Sequence, residues 1–134
     1  MTSSVIYHGD LRTTCTHLKS GQSIITDAPT DNHGKGEAFS PTDLLATSLG
    51  SCMLTVMGIV AERNGIDIKG TRINITKVMA ENPRRVSQVV VEIVFEKGNV
   101  FNEKDKTLLE NTAKSCPVAK SLHPDIDQKI SFHY

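Results

Sequence analysis

The chain has no tryptophan, and only four phenylalanines and two tyrosines among its 134 residues. That is too few aromatic rings for a base-stacking platform. Net charge is missing as well, because 15 Lys and Arg balance 15 Asp and Glu. A neutral chain offers no electrostatic reason to bind nucleic acid or an anionic membrane surface. The N-terminus, MTSSVIYHGDLR, has neither the basic stretch nor the apolar stretch of a secretory signal. No uninterrupted apolar run reaches the length of a membrane span. The longest apolar region, Leu44 to Ala61, is broken by Thr47, Ser48, Ser51, Thr55 and two glycines. A cytoplasmic protein with no membrane and no nucleic-acid partner is expected.

Cysteine is scarce too. The three present are an odd number, and in a reducing compartment they argue against a structural disulfide framework. There is no C-x-x-C. None of the five histidines (His8, His17, His33, His123, His133) forms a ligand pair at helical or finger spacing. A metal site is therefore not expected. Gly34 to Glu37, GKGE, lacks the spacing and strand–helix setting of a phosphate cradle. LGSCM is not the G-x-S-x-G of a serine nucleophile elbow.

A chain of this length is expected to form one domain, residues 1–134, with a real core. The N-terminal third is rich in β-branched residues, with a hairpin signal at Lys19–Gln22. Asp27 to Phe39 carries breakers and reads as a loop. Ser40-Pro41-Thr42-Asp43 is a strong helix start: Ser40 as N-cap, Pro41 in the first turn and Asp43 completing a capping box. The helix should run to Arg63 and stop at Asn64-Gly65. It is apolar on more than one face, so it should be buried on most sides. Alternation then predicts strands over Ile66–Ala80 and Val86–Lys97, with Val89, Val91, Ile93 and Phe95 on one face. A second helix should start at Asn102, with Asp105 as box partner. Pro117 should break it and open a short third helix, and Gln128–Tyr134 should form a closing strand. The order β-β(-β)-α-β-β-α-β, joined mostly by hairpins, argues for α+β with antiparallel sheets.

Two cysteines are candidates for chemistry. Cys116 precedes Pro117 at a helix start, where unpaired backbone N–H groups favour a thiolate, with Lys114 and Lys120 nearby. A buried capping cysteine fits the same position equally well. Cys52, alone in an apolar helix, reads more readily as a small core residue. Cys15, on an N-terminal strand, is taken as structural. Arg12 could hold a thiolate and orient a peroxide oxygen, though most strand-end arginines are simply solvated.

Taken together, SPTDLLATSLGSCMLTVMGIVAERNGIDIKG and, further on, LLENTAKSCPVAKSL resemble the OsmC/Ohr family. That family has a Pro-x-x-Leu motif opening a long helix with a cysteine in its middle, and a later Cys-Pro at a helix start. The resemblance extends through the strand order and the Ser20–Asp27 run. It implies an intertwined homodimer, with two sheets around the long helices and active sites at the subunit interface. It also implies a thiol-dependent peroxidase in oxidative or osmotic stress defence. Cys52 would attack an organic hydroperoxide, Cys116 would resolve the sulfenic acid as a disulfide, and an external dithiol would reduce it. No metal, haem or flavin is implied. Peroxidase members resemble one another in a glutamate directly after the helix-opening proline, which pairs with an N-terminal arginine. Here that place is Thr42, and Arg12 is the candidate for the arginine. Asp43 lies about 100° further round the helix and is taken by the capping box. Sequences without the glutamate resemble a broader OsmC-like branch. The alternative implied is a non-enzymatic dimer that binds a small apolar ligand or senses redox state.

Overall fold

The computed structural model describes residues 1–134, which divide into two compact units, Met1–Leu45 and Ala46–Tyr134. The first unit holds three strands: β1 (Ser3–Tyr7), β2 (Arg12–His17) and β3 (Ser23–Asp27). They form an antiparallel sheet in the order β1-β2-β3. The β1–β2 turn uses Gly9, Asp10 and Leu11, all at positive φ. The second turn contains Gly21, also at positive φ, at the Lys19–Gln22 hairpin signal. The register sets Arg12 opposite Asp27 and Cys15 opposite Ile24. This sheet buries little within the chain. Val5, Ile6, Tyr7, Ile24 and Ile25 are exposed, and Thr26 and Asp27 are the buried strand residues.

The segment after β3 is a built loop. It contains a single 3-10 turn, Thr30–Asn32. Its ends are tied by Asp27 N–H to the Phe39 carbonyl at 3.1 Å and Gly36 N–H to the Ala28 carbonyl at 3.2 Å. A Cβ at Gly34 would fall 1.7 Å from the Ala28 carbonyl oxygen, so only glycine fits there.

Helix α1 (Pro41–Arg63) starts and stops where its sequence signals stand. Asp43 N–H donates to Ser40 Oγ at 3.1 Å, and Ser40 N–H donates back to Asp43 Oδ2 at 2.9 Å. This reciprocal pair is the capping box. At the other end Gly65 adopts φ +67°. Ile66 N–H then reaches the Ala61 carbonyl at 2.9 Å, the six-to-one bond of a Schellman stop. By length and composition alone α1 could cross a bilayer, which the interrupted apolar run did not lead us to expect. Ala46, Leu49, Gly50, Met53, Met57 and Ala61 are buried and form one face of the helix, whereas Leu45 and Ile59 are exposed, so within the chain α1 is covered on one side and not on most sides as its composition predicts. Gly50 lets it approach a strand closely, since a Cβ there would lie 2.9 Å from Ile75 Cδ1 and 3.1 Å from Ile73 Cγ2.

The second unit continues with β4 (Arg72–Ala80), β5 (Arg85–Val94), α2 (Glu103–Lys114), α3 (Pro117–Ser121) and β6 (Asp127–His133). Ile66 and Ile68 fall before β4 rather than in it. Asn102 caps α2, its side chain accepting from Asp105 N–H at 2.8 Å. The strands form one sheet in the order β4-β5-β6. Val89, Val91, Ile93 and Phe95 are buried on one face, as the alternation predicts. Val86 joins them out of phase because the register shifts opposite Val78 and Met79, a bulge that changes the parity of the strand. With Leu109, Ala113, Cys116 and Ala119 from α2 and α3, these residues and the buried face of α1 make the core.

The architecture is α+β, with two sheets and a long helix. One detail differs from the all-antiparallel expectation, because β6 runs parallel to β5. The connection from β5 carries two helices, and a helical crossover of that length lets a strand return in parallel.

Candidate functional site

Cys52 sits in the middle of α1 and is half-buried, packed against the core. Cys116 is the N-cap of α3, with extended backbone (φ −62°, ψ 148°) and Pro117 as the next residue. Its Sγ accepts from Ala119 N–H at 3.3 Å. It is 1% exposed. The two thiols are near enough for Cys52 to bear on the ionisation of Cys116, so the fold brings together cysteines 64 positions apart.

The capping geometry expected of Cys116 is present, but its consequence is reversed. Burial pushes this thiol up, and the neighbouring Cys52 thiol pushes the same way. The bonds from Ala119 and Val118 N–H oppose them and are the weaker influence. A five-residue helix offers little dipole, and desolvation outweighs it. Nor do the lysines compensate. Lys114 Nζ lies 4.0 Å from a Glu110 carboxylate oxygen and 5.7 Å from the centre of the Phe132 ring, while Lys120 is exposed. Cys116 is therefore a neutral thiol held beside Cys52, and not an activated thiolate.

Arg12 opens β2 in the first unit. Its Nε donates to Asp27 Oδ1 at 2.7 Å and its Nη2 to Asp27 Oδ2 at 2.8 Å. Nη2 also donates to Glu37 Oε2 at 2.9 Å. Asp27 Oδ2 accepts the backbone N–H of Glu37 at 3.1 Å, which joins the two carboxylates to one another. The Arg12 hydrogen bonds hold the Asp27 carboxyl below its ordinary range, against the effect of burial. The same bonds push the guanidinium further up. Neither carboxylate was singled out from the sequence. Asp27 closes the Ser20–Asp27 run, but only the strand register shows that it faces Arg12. Thr42 Oγ1 lies 3.2 Å from Ser40 Oγ, at the cap of α1.

Cys15 is half-buried on β2, with Sγ 3.9 Å from Thr13 Oγ1. Glu37 shares the wall of an open groove of about 550 Å³ with Ile24, Ile25, Ala38 and Phe39.

Comparison with known proteins places these features. The family model for OsmC-like protein matches residues 34–131. No curated protein matches the chain. Among solved structures, a protein from Psychrobacter arcticus named for osmotic stress induction and a detoxification response is 59% identical. The match covers 99% of this chain and 96% of that one, with a TM-score of 0.95. An OsmC-like protein from Mycoplasma pneumoniae is 18% identical, with 98% and 96% of the two chains covered and a TM-score of 0.77. An organic hydroperoxide resistance protein, OsmC, from Legionella pneumophila is 17% identical, with 100% and 98% covered and a TM-score of 0.70. The last two are likenesses of fold. With the family model spanning most of the chain and a 59% identical relative along its whole length, this protein belongs to the OsmC/Ohr family of OsmC-like proteins.

Proposed function

We propose that the protein is a thiol-dependent peroxidase acting on organic hydroperoxides. The observation that carries the reading is the pairing of a half-buried Cys52 with a buried, neutral Cys116. Attack needs an accessible thiolate, and resolution needs a thiol already in place. The Cys52 thiolate attacks the outer peroxide oxygen, the O–O bond breaks, and the alcohol leaves with a proton. Cys52 is oxidised to a sulfenic acid and the peroxide is reduced. The Cys116 thiol then displaces water from that sulfenic acid, and a disulfide forms. An external dithiol reduces it by exchange, with no metal or organic cofactor in the cycle. Arg12 is assigned, through the family resemblance, as the cation that accompanies the reactive thiolate. In relatives named for organic hydroperoxide resistance the fold is the same.

Turnover of cumene hydroperoxide with dithiothreitol tests the reading. Cys116→Ser should leave the first oxidation intact but block the disulfide, so that Cys52 is trapped as a sulfenic acid by dimedone. Stoichiometric oxidation of the wild type without turnover would favour a redox sensor instead.

The acting species is proposed to be a homodimer in the cytoplasm. In the first unit Val5, Ile6, Tyr7 and Phe39 lie exposed, and along α1 so do Leu45 and Ile59. Within the first unit alone, exposed apolar side chains of this kind are what a second copy would cover. Sedimentation should give twice the chain mass; a monomer at micromolar concentration would refute the dimer.

A further inference from the structure

Alternation along β6 turns Gln128, Ile130 and Phe132 to one side, and the parallel register sets them beside Val89, Val91 and Ile93, the buried face of β5. Apolar residues suit all three places. Gln128 is the polar one, and it is half-buried. Its Nε2 donates to the Ala119 carbonyl, near the end of α3, at 2.9 Å. Leu122 leaves α3 in extended conformation (φ −71°, ψ 150°), so the backbone that would continue the helix onto that carbonyl turns away. A side-chain donor there satisfies an orphan acceptor, which by itself is a structural role.

Two features go further. Ala119 is 9% exposed, and its N–H donates to Cys116 Sγ at 3.3 Å. One buried residue therefore links the Gln128 amide to the sulfur, taking a bond at each end of its backbone. The helix between them is also short. Five residues make little more than one turn, too few to hold an axis without outside support. Cys116 N–H ties the start of α3 to the Ala113 carbonyl of α2 at 3.3 Å. Gln128 ties the other end to the sheet. The strand that carries it is itself pinned, since Gln88 Nε2 of β5 donates to Asp127 Oδ2 at 2.6 Å on the opposite face.

We infer that Gln128 is a positioning residue for the resolving thiol: its amide holds α3 on the sheet and, through Ala119, fixes where Cys116 Sγ stands relative to Cys52. The inference rests on the reading of Cys116 as the resolving cysteine, and every residue in it lies in the unit Ala46–Tyr134. Resolution needs the Cys116 sulfur in line with the Cys52 sulfur and its leaving group. Small misplacements slow such a step steeply. The first oxidation, at Cys52, does not involve α3 and is left alone.

The test separates the two steps with dithiodipyridine, a small aromatic disulfide, on full-length protein carrying Cys15→Ser so that two thiols remain. The Cys52 thiolate breaks the reagent's S–S bond, keeps one half as a mixed disulfide and releases the other as a thiopyridone, which takes a proton from water. Cys116 then attacks the Cys52 sulfur, the mixed disulfide breaks, and the second thiopyridone leaves with the Cys116 proton. Two thiols are oxidised to a disulfide and the reagent is reduced. Stopped-flow absorbance reads the first release as Cys52 and the second as Cys116.

Gln128→Met fills the same space without a donor. It should slow the second release about tenfold and leave the first within about twofold. Gln128→Glu keeps the shape but turns an acceptor toward the Ala119 carbonyl, and should slow the second release at least as much. Gln88→Met removes a hydrogen bond to the neighbouring residue of β6 without touching α3, and should leave both releases as they are. An unchanged second release in either Gln128 variant overturns the inference. So does equal slowing of both releases, or a slowing by Gln88→Met as large as that by Gln128→Met, since each is what general loosening of the fold would give. A parent protein that releases only one thiopyridone per chain overturns it as well. If the wild type turns over no hydroperoxide, the peroxidase reading fails on its own, and the second release still decides the role of Gln128.

Discussion

Replacing Cys52 with serine should lower hydroperoxide turnover at least about a thousandfold, to the background of the dithiol alone. The argument is chemical. A serine hydroxyl does not ionise near neutral pH and has no sulfenic state to enter. Cys116 cannot take over, because it is 1% exposed and burial keeps it protonated. The change of sulfur for oxygen at a half-buried helix position is nearly isosteric, so circular dichroism should be unaltered. Cys15, which lies on β2 in the other unit, serves as the control, and Cys15→Ser should retain full turnover. Turnover surviving in Cys52→Ser would show that the reacting thiol lies elsewhere.

The largest effect on stability is expected from Leu49→Ala. Leu49 is fully buried, one helical turn before Cys52, in the core that α1 shares with β5 and α2. The close packing at Gly50, where Ile73 and Ile75 already crowd the helix, limits how far α1 can sink to refill the space. Truncation should therefore cost about 3 kcal/mol. For a chain of this size that is a fall of roughly 10 °C in melting temperature. Thr55→Ala, at an exposed position on the same helix, should change the melting temperature by only about 1–2 °C. Equal losses at the two positions, measured by differential scanning calorimetry, would mean that α1 is not anchored by its Leu49 face.

Much of this architecture was legible because its signals are local. Ser40, Asp43 and Gly65 each satisfy a backbone need within a few residues of themselves, so the ends of α1 follow from neighbouring side chains. The same holds for Asn102 at the start of α2 and Pro117 at the start of α3. Alternation showed the buried face of β5 over Val89–Phe95. It did not show Val86, because a bulge changes parity without any residue that announces it. The direction of β6 was also hidden, since a strand reads the same whether its neighbour runs parallel or antiparallel.

The site divides in the same way. Cys52 and Cys116 were found as a pair through two motifs, and the fold puts their thiols together. Of the two readings the sequence leaves open for Cys116, burial favours the protonated capping thiol over the activated one. Its capping position is written in Cys-Pro, but its burial depends on α1 and the sheet, far away in sequence. For Arg12 the partners were the missing part. Asp27 and Glu37 lie 15 and 25 residues away and become its neighbours only through the β2–β3 register and the fold of the loop. Thr42 read as a loss because the place it occupies is fixed in sequence, whereas the carboxylates that hold Arg12 come from elsewhere.

The most direct measurement is disulfide mapping after one equivalent of cumene hydroperoxide. The reduced protein is treated, remaining thiols are alkylated, and the unreduced digest is read by mass spectrometry. The account predicts a single intrachain Cys52–Cys116 link, with Cys15 alkylated and two thiols lost per chain. A link that includes Cys15, or both Cys52 and Cys116 recovered as alkylated thiols, would contradict it.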